Sequence, residues 1–258
     1  MIGETLLLTR TNFIAALIGI LGGVLAGLFG VGGGLIMVPL LVGWLHLDQK
    51  TAHATSLAAV VPIAIAGTFG FAQSGNVDWL AATYLLCGSV LGAFFGARSL
   101  RTFPTKYLHT VFGILLVASG LRLLFRAEPH QVVDGFGGHL LLLAVGFFAG
   151  VLAGLLGIGG GVIVVPALII AAGIDSITAR GTSLAVAVGA SVVGGLTHFQ
   201  QRNVQTDSAL VMGLAGVPAT FLGVYLSHEV VSSQVTFLFA ILLIALGVQQ
   251  GRKIFLYT

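Results

Sequence analysis

Apolar stretches about as long as a membrane-spanning helix follow one another along almost the whole 258-residue chain. They lie at about residues 11–29, 33–47, 52–72, 78–98, 105–125, 138–156, 160–173, 179–199, 206–226 and 233–251. A hydrocarbon core about 30 Å thick needs roughly 20 apolar residues per helix. Because no water there can satisfy the backbone, a spanning segment must bond within itself. The pattern therefore predicts an all-α, multi-pass integral membrane protein in a lipid bilayer.

Composition agrees, because 57% of the residues are hydrophobic and 7% are charged, against about 25% charged residues in soluble domains. The eleven Lys and Arg residues are scattered between apolar segments and do not indicate nucleic-acid binding. All eight Asp and Glu residues lie at segment ends or between segments, and Cys87 is the single cysteine. With no paired carboxylates and no His/Cys/Asp cluster at metal spacing, the sequence predicts neither an enzyme, nor a metal, nor a cofactor.

Two glycine-rich strings occur at equivalent places, GLFGVGGGLIMVP at Gly27–Pro39 and GLLGIGGGVIVVP at Gly154–Pro166. A shift of 127 residues aligns the two parts of the chain without a gap. Between Gly23–Pro39 and Gly150–Pro166, thirteen of seventeen positions are identical. Since glycine inside a helix costs roughly 1 kcal/mol relative to alanine, its repetition indicates that backbone shape is needed there.

The duplication divides one membrane domain into residues 1–127 and residues 128–258, each with about five helical segments. Internal repeats of this kind are typical of secondary transporters, which bind substrate where the repeats meet. The second segment of each half, 33–47 or 160–173, would form only about 22 Å of helix. It either crosses a thinned bilayer or forms a half-helix beside the segment before it.

The positions of Lys and Arg predict the orientation of the halves. Arg10, the loop 98–106 and Arg202 are basic, whereas the loops 74–78 and 173–178 contain neither Lys nor Arg. Basic loops remain on the cytoplasmic side of a membrane. The bias favours inverted repeats with both termini in the cytoplasm, and the oligomeric state is not predicted.

A pair of motifs carries a family resemblance. The string G-x-G-G-G-x-[IL]-x-x-P occurs at Gly30–Pro39 and Gly157–Pro166, and ARGTSL at Ala179–Leu184 has the counterpart AHATSL at Ala52–Leu57. Together they resemble the TauE/SafE family of membrane anion transporters, the sulfite exporter family. The first copy departs from the pattern at Ala54, where the second has glycine. The resemblance implies transport, usually export, of sulfite or a small organosulfonate, and the sequence type fits a bacterial or archaeal inner membrane.

The glycines fall into two groups with different predicted roles. Glycines spaced by four upstream of each turn predict close helix packing: Gly19, Gly23, Gly27, Gly150 and Gly154. The clustered glycines precede a short helix, whose free N–H groups attract anions. They are Gly32, Gly33, Gly34, Gly159, Gly160 and Gly161. For these we predict substrate contact, with helix packing as the alternative.

Arg180 is the most informative charge, since an ionisable residue in an apolar helix usually marks a substrate or ion path. Its forked guanidinium suits an oxyanion, and Ser183 lies three residues later on the same helical face. The alternative is an arginine that reaches the membrane surface. His53 is the equivalent residue of the first half and is the second candidate of this kind.

Other polar residues complete the predicted substrate-binding set: Thr55, Ser56, Gln73, Thr182, Ser183, His198 and Gln200. Hydroxyl groups could donate to a substrate or bond to a carbonyl of their own helix. The two glutamines and His198, near helix ends, could line the mouth of a path or cap the helix.

The predicted function is a secondary transporter of a small anion, with two halves alternating around one central site. An anion channel, a membrane-embedded enzyme and a structural subunit remain alternatives. Because no carboxylate lies in the interior of an apolar segment, the sequence favours anion efflux down the membrane potential, worth about 2.3 kcal/mol per charge per 100 mV.

Overall fold

The computed structural model describes residues 2–99, 113–114, 116–121, 124, 135–157, 159–230 and 232–256, and every element it assigns is a helix. Most of the predicted segment 105–125 and of the basic loop 98–106 lies outside the described residues. Seven helices are long: α1 (Ile2–Phe29), α3 (Gln49–Gln73), α4 (Trp79–Ser99), α5 (Gly135–Leu156), α7 (Ser176–Gln200), α8 (Thr206–Glu229) and α9 (Ser232–Leu256). Two are short: α2 (Gly34–Trp44) and α6 (Gly161–Ala171).

Membrane crossing is confirmed for this part of the chain. Six helices are long and apolar enough to span a bilayer, and they are α1, α3, α4, α5, α7 and α8. The short helices α2 and α6 have 11 residues each, about 16 Å of helix. They are therefore too short to cross a hydrocarbon core about 30 Å thick, and the half-helix alternative is the one that the fold adopts.

The glycine turns reverse the chain at the start of each half-helix. Their residues Gly30, Gly32, Gly33, Gly157, Gly159 and Gly160 have φ between 66° and 79°. L-residues with a side chain rarely adopt this left-handed conformation. After the turn α2 runs back along α1, so that a Cβ at Gly22 would lie 2.6 Å from Cγ of Met37. Each glycine string thus ends one helix and begins a half-helix beside it.

Glycines spaced by four join each half to the other. In α1, a Cβ at Gly19, Gly23 or Gly27 would clash with backbone of α8, and in α5 a Cβ at Gly146, Gly150 or Gly154 would clash with backbone of α4. The partner positions in α8 and α4 follow the same 127-residue shift, since Gly23 meets Gly216 and Gly150 meets Ser89. The packing prediction is confirmed for Gly19, Gly23, Gly27, Gly150 and Gly154, and Gly146 packs in the same way.

Helices α3 and α7 form the buried centre and cross in opposite directions. Gly67 of α3 faces Leu184 of α7, while Leu57 of α3 faces Gly194. An aspartate caps the first turn of each helix: Asp48 accepts from the Thr51 N–H at 3.0 Å, and Asp175 accepts from the Ile177 N–H at 3.0 Å. These caps satisfy backbone donors that a helix start leaves open and fix where the polar part of each helix begins.

Candidate functional site

Each glycine turn lies against the polar helix of the opposite half. A Cβ at Gly30 would clash with the Arg180 backbone, and a Cβ at Gly157 would clash with the His53 backbone. Gly161 also approaches the other turn, because a Cβ there would lie 2.6 Å from the Gly30 carbonyl oxygen. Only glycine allows this close approach, so the duplicated strings place both turns beside the polar residues of α3 and α7.

Arg180 is buried, 2% exposed, near the start of α7, and bonds to hydroxyl groups on three helices. Its Nη1 donates to Ser227 Oγ at 2.9 Å, and its Nη2 donates to Ser176 Oγ at 2.6 Å and Thr236 Oγ1 at 3.3 Å. An arginine that reaches the membrane surface would be exposed at its tip. The guanidinium of Arg180 is instead covered by protein and bonded to hydroxyl groups near the start of α7.

Two more polar residues accompany Arg180 on α7. The Asp78 N–H donates to Thr182 Oγ1 at 2.9 Å, which ties the start of α4 to α7. Ser183 is fully buried, and its Oγ has no hydrogen-bond partner among the residues that the structure describes. We call the group Ser176, Arg180, Thr182, Ser183, Ser227 and Thr236 the Arg180 layer.

The equivalent residues of α3 are bonded to the end of α5. His53 Nδ1 bonds to the Leu156 carbonyl at 2.6 Å, and Ser56 Oγ donates to the Gly157 carbonyl at 3.1 Å. The Gln205 N–H donates to Thr55 Oγ1 at 3.0 Å, and His198 Nε2 bonds to the Gly154 carbonyl at 2.8 Å. We call His53, Thr55, Ser56 and His198 the His53 layer. Three of these side chains, those of His53, Ser56 and His198, bond to carbonyl groups at the end of α5, which lack partners within the helix.

The two layers lie far apart along the bundle. Phe71 lies beside Gly181, next to Arg180, and His53 precedes Phe71 on α3 by five turns, about 27 Å. Between the layers, Gly159 is surrounded by Val60, Val31 and Ala187, with atoms 3.3 to 3.7 Å from a Cβ built there. The structure therefore does not bring Arg180 and His53 into one site. Most of the predicted polar side chains divide into two layers, with the side chains of Val60 and Ala187 between them.

A family profile described as "Sulfite exporter TauE/SafE" matches residues 14–250. The chain belongs to the TauE/SafE family. A "Probable membrane transporter protein YunE" from Bacillus subtilis (strain 168) is 24% identical over 92% of this chain and 96% of its own length.

Other relatives carry similar names. A "Probable membrane transporter protein" of Xylella fastidiosa (strain 9a5c) is 32% identical over 81% of this chain and 82% of its own. "Probable membrane transporter protein MJ0441" of Methanocaldococcus jannaschii is 26% identical over 83% of this chain and 85% of its own length. The family and these names indicate a membrane transporter rather than an enzyme.

Some polar residues of this TauE/SafE protein lie outside both layers. Gln73 and Gln200 are exposed at the ends of α3 and α7. Conversely, Ser176, Ser227 and Thr236 bond to Arg180 although the sequence did not single them out. Of these, Ser176 alone could have been found by its spacing, four residues before Arg180 on the same helical face.

Proposed function

We propose that this TauE/SafE chain is a secondary transporter that exports sulfite or a small organosulfonate by alternating access. The observation that carries the proposal is the buried Arg180 guanidinium among the hydroxyl groups of Ser176, Ser227 and Thr236. A guanidinium is permanently charged and offers paired N–H donors that match the oxygens of an oxyanion. Burial of such a charge is expensive, and proteins usually retain it for a function.

The proposed carrier mechanism rests on the two layers. If residues 1–127 and 128–258 are inverted repeats, equivalent helices run in opposite directions, as α3 and α7 do. The anion would then reach the His53 layer from one side of the membrane and the Arg180 layer from the other side, in alternation. The apolar side chains of Val60 and Ala187 lie between the layers and favour a carrier over an open anion channel with a continuous polar path.

The proposed orientation follows from the described basic side chains at the surface. Lys50, Arg98 and Arg202 lie at the end of the bundle that carries the His53 layer, and Arg10 begins the crossing of α1 at the same end. The described loops 74–78 and 173–175 at the other end contain neither Lys nor Arg. Arg122 and Arg126 in the central connection are the exceptions to the charge bias. By the positive-inside rule, the His53 layer faces the cytoplasm together with both termini, and the Arg180 layer lies nearer the outside.

The test is sulfite binding to purified protein with Arg180→Gln and Arg180→Lys, using Arg98→Gln at an exposed position as control. Loss of a charged hydrogen bond costs about 1.5–3 kcal/mol, which corresponds to roughly ten- to a hundredfold in affinity. We expect a loss of that size for Arg180→Gln, a smaller loss for Arg180→Lys, and no change for Arg98→Gln. Equal sulfite affinity in all four proteins would remove Arg180 from the site.

A further inference from the structure

Ser56 and Ser183 occupy equivalent positions in the repeat but have different surroundings. Ser56 Oγ donates to the Gly157 carbonyl at 3.1 Å. Ser183 is just as buried, yet its Oγ lacks a hydrogen-bond partner within the described part of the chain. A buried hydroxyl without a hydrogen-bond partner destabilises the folded protein, which indicates that the Ser183 hydroxyl is kept for a ligand.

The feature that faces Ser183 is the start of α6. Gly161 is the first residue of this 11-residue helix, and a Cβ there would lie 2.9 Å from Ser183 Oγ. The N-cap residue Gly160 supplies no side-chain hydrogen bond to the helix start. A helix N-terminus presents N–H groups and the positive end of the helix dipole. An unpartnered hydroxyl and a helix start therefore meet at one place, and both can donate to an anion.

Arg180 lies on the same face of α7 as Ser183, one turn earlier. Gly30 lies between the arginine and the helix start, because a Cβ at Gly30 would lie 2.7 Å from Arg180 Cβ. The Gly30 carbonyl in turn lies 2.6 Å from a Cβ built at Gly161. The two glycine turns are thus in contact beside the Ser183 hydroxyl.

We infer that one anion binds per chain, at the Ser183 hydroxyl and the N-terminus of α6, while Ser56 closes the equivalent place in the other half. The inference rests on the proposed function and locates the site of the transported anion. The ligand class is a compact oxyanion with a sulfite or sulfonate head, whose oxygens accept from the hydroxyl and the backbone N–H groups, with the Arg180 charge one turn away along α7.

The experiment is calorimetric titration of the purified full-length protein with sulfite, comparing Ser183→Ala, Ser56→Ala and Ser191→Ala. Ser191 is a matched control, because it is buried on α7 and its Oγ donates to the Val188 carbonyl of its own helix at 3.1 Å. We expect one sulfite per chain, at least about tenfold weaker binding in Ser183→Ala, and changes below about threefold in the other two.

A second pair of variants tests the approach of the two glycine turns. Gly161→Ala places a methyl group 2.9 Å from Ser183 Oγ, whereas Gly43→Ala on α2 meets nothing within 4 Å. We expect Gly161→Ala to abolish sulfite binding and Gly43→Ala to leave it unchanged. Thermal unfolding without ligand identifies any variant that fails to fold, and if Gly161→Ala does so, the serine series decides.

The outcomes separate the inference from the proposed function. If the unmodified protein binds no sulfite, sulfoacetate or taurine, the proposed function fails. If it binds sulfite but Ser183→Ala matches Ser191→Ala, or two anions bind per chain, the inference fails and the proposed function stands.

Discussion

At the scale of single residues, the duplicated threonines hold helices in place. Thr182 Oγ1 accepts from the Asp78 N–H at 2.9 Å, and Thr55 Oγ1 accepts from the Gln205 N–H at 3.0 Å. These equivalent bonds tie α4 to α7 and α8 to α3. The sequence predicted both hydroxyls as substrate donors, and the structure gives each of them a structural acceptor role besides.

Thr182→Val should therefore destabilise the protein, because the Asp78 N–H loses its acceptor. The expected cost is about 1–3 kcal/mol, measured as a lower midpoint of thermal unfolding in detergent. Thr197→Val is the matched control, since Thr197 Oγ1 only donates to the Val193 carbonyl of its own helix at 2.8 Å. Equal shifts in the two variants would contradict the tethering role of Thr182.

Arg180 shows how far the sequence could predict the candidate site. Its position in an apolar helix and its spacing from Ser183 follow from the sequence, and both residues are buried in one layer. The hydroxyls of Ser227 and Thr236 come from α8 and α9. No local pattern links these distant positions to Arg180, because tertiary packing alone brings them together.

At the scale of elements, the glycines spaced by four allow helix backbones to touch. A Cβ at Gly23 would clash with the Gly216 carbonyl, and one at Gly150 would clash with the Ser89 carbonyl. Backbone cannot move aside as a flexible side chain can. The spacing of the glycines in the sequence predicted this packing. It could not identify the partner helix, because several helices of the chain carry a similar face of small residues.

Gly23→Ala tests whether the clash with the neighbouring backbone outweighs the higher helix propensity of alanine. Alanine favours a helix by roughly 1 kcal/mol over glycine, whereas overpacking costs about 1–3 kcal/mol or more. Because the clash is with backbone, we expect a net loss of thermal stability. Gly43→Ala, with nothing within 4 Å, gains the propensity without the clash and should be neutral or stabilising. A stabilised Gly23→Ala protein would be the contrary result.

The half-helices α2 and α6 are two elements whose path the sequence did not decide. Segment length left two possibilities open, a thinned crossing or a hairpin. The decision comes from the left-handed glycines, with φ of 77° at Gly33 and 79° at Gly160, which turn the chain back. Glycine content indicates that such a turn is possible, but its dihedral angles follow from the packing around it.

At the scale of the whole molecule, the 127-residue register predicted equivalent helices, and the contacts between halves recur with that shift. The sequence also predicted one central site for Arg180, the threonine and serine hydroxyls and the clustered glycines. The structure separates them into the Arg180 layer and the His53 layer. Both α3 and α7 carry their polar residues near their first turns, and because the two helices run in opposite directions, these turns lie at opposite ends of the bundle. Crossing geometry of this kind is not encoded in the motifs.

Inverted repeats make a direct prediction about topology. Gln73 and Gln200 are equivalent and both exposed, so cysteines at these positions should face opposite sides of the membrane. The readout is labelling of intact cells by an impermeant maleimide, with Cys87 replaced by alanine in the background. We expect labelling of Gln73→Cys from outside and of Gln200→Cys only after lysis. Labelling of both from the same side would contradict the inverted arrangement.

The most direct test of the proposed transport is counterflow in proteoliposomes. Vesicles loaded with unlabelled sulfite and diluted into labelled sulfite should transiently accumulate the label above equilibrium, in a saturable way. Arg180→Gln vesicles should not accumulate it, and sulfoacetate, taurine, thiosulfate and sulfate as competitors rank the substrates. A carrier predicts counterflow without unitary currents. Single-channel currents, or no sulfite flux from well-folded protein, would contradict the account.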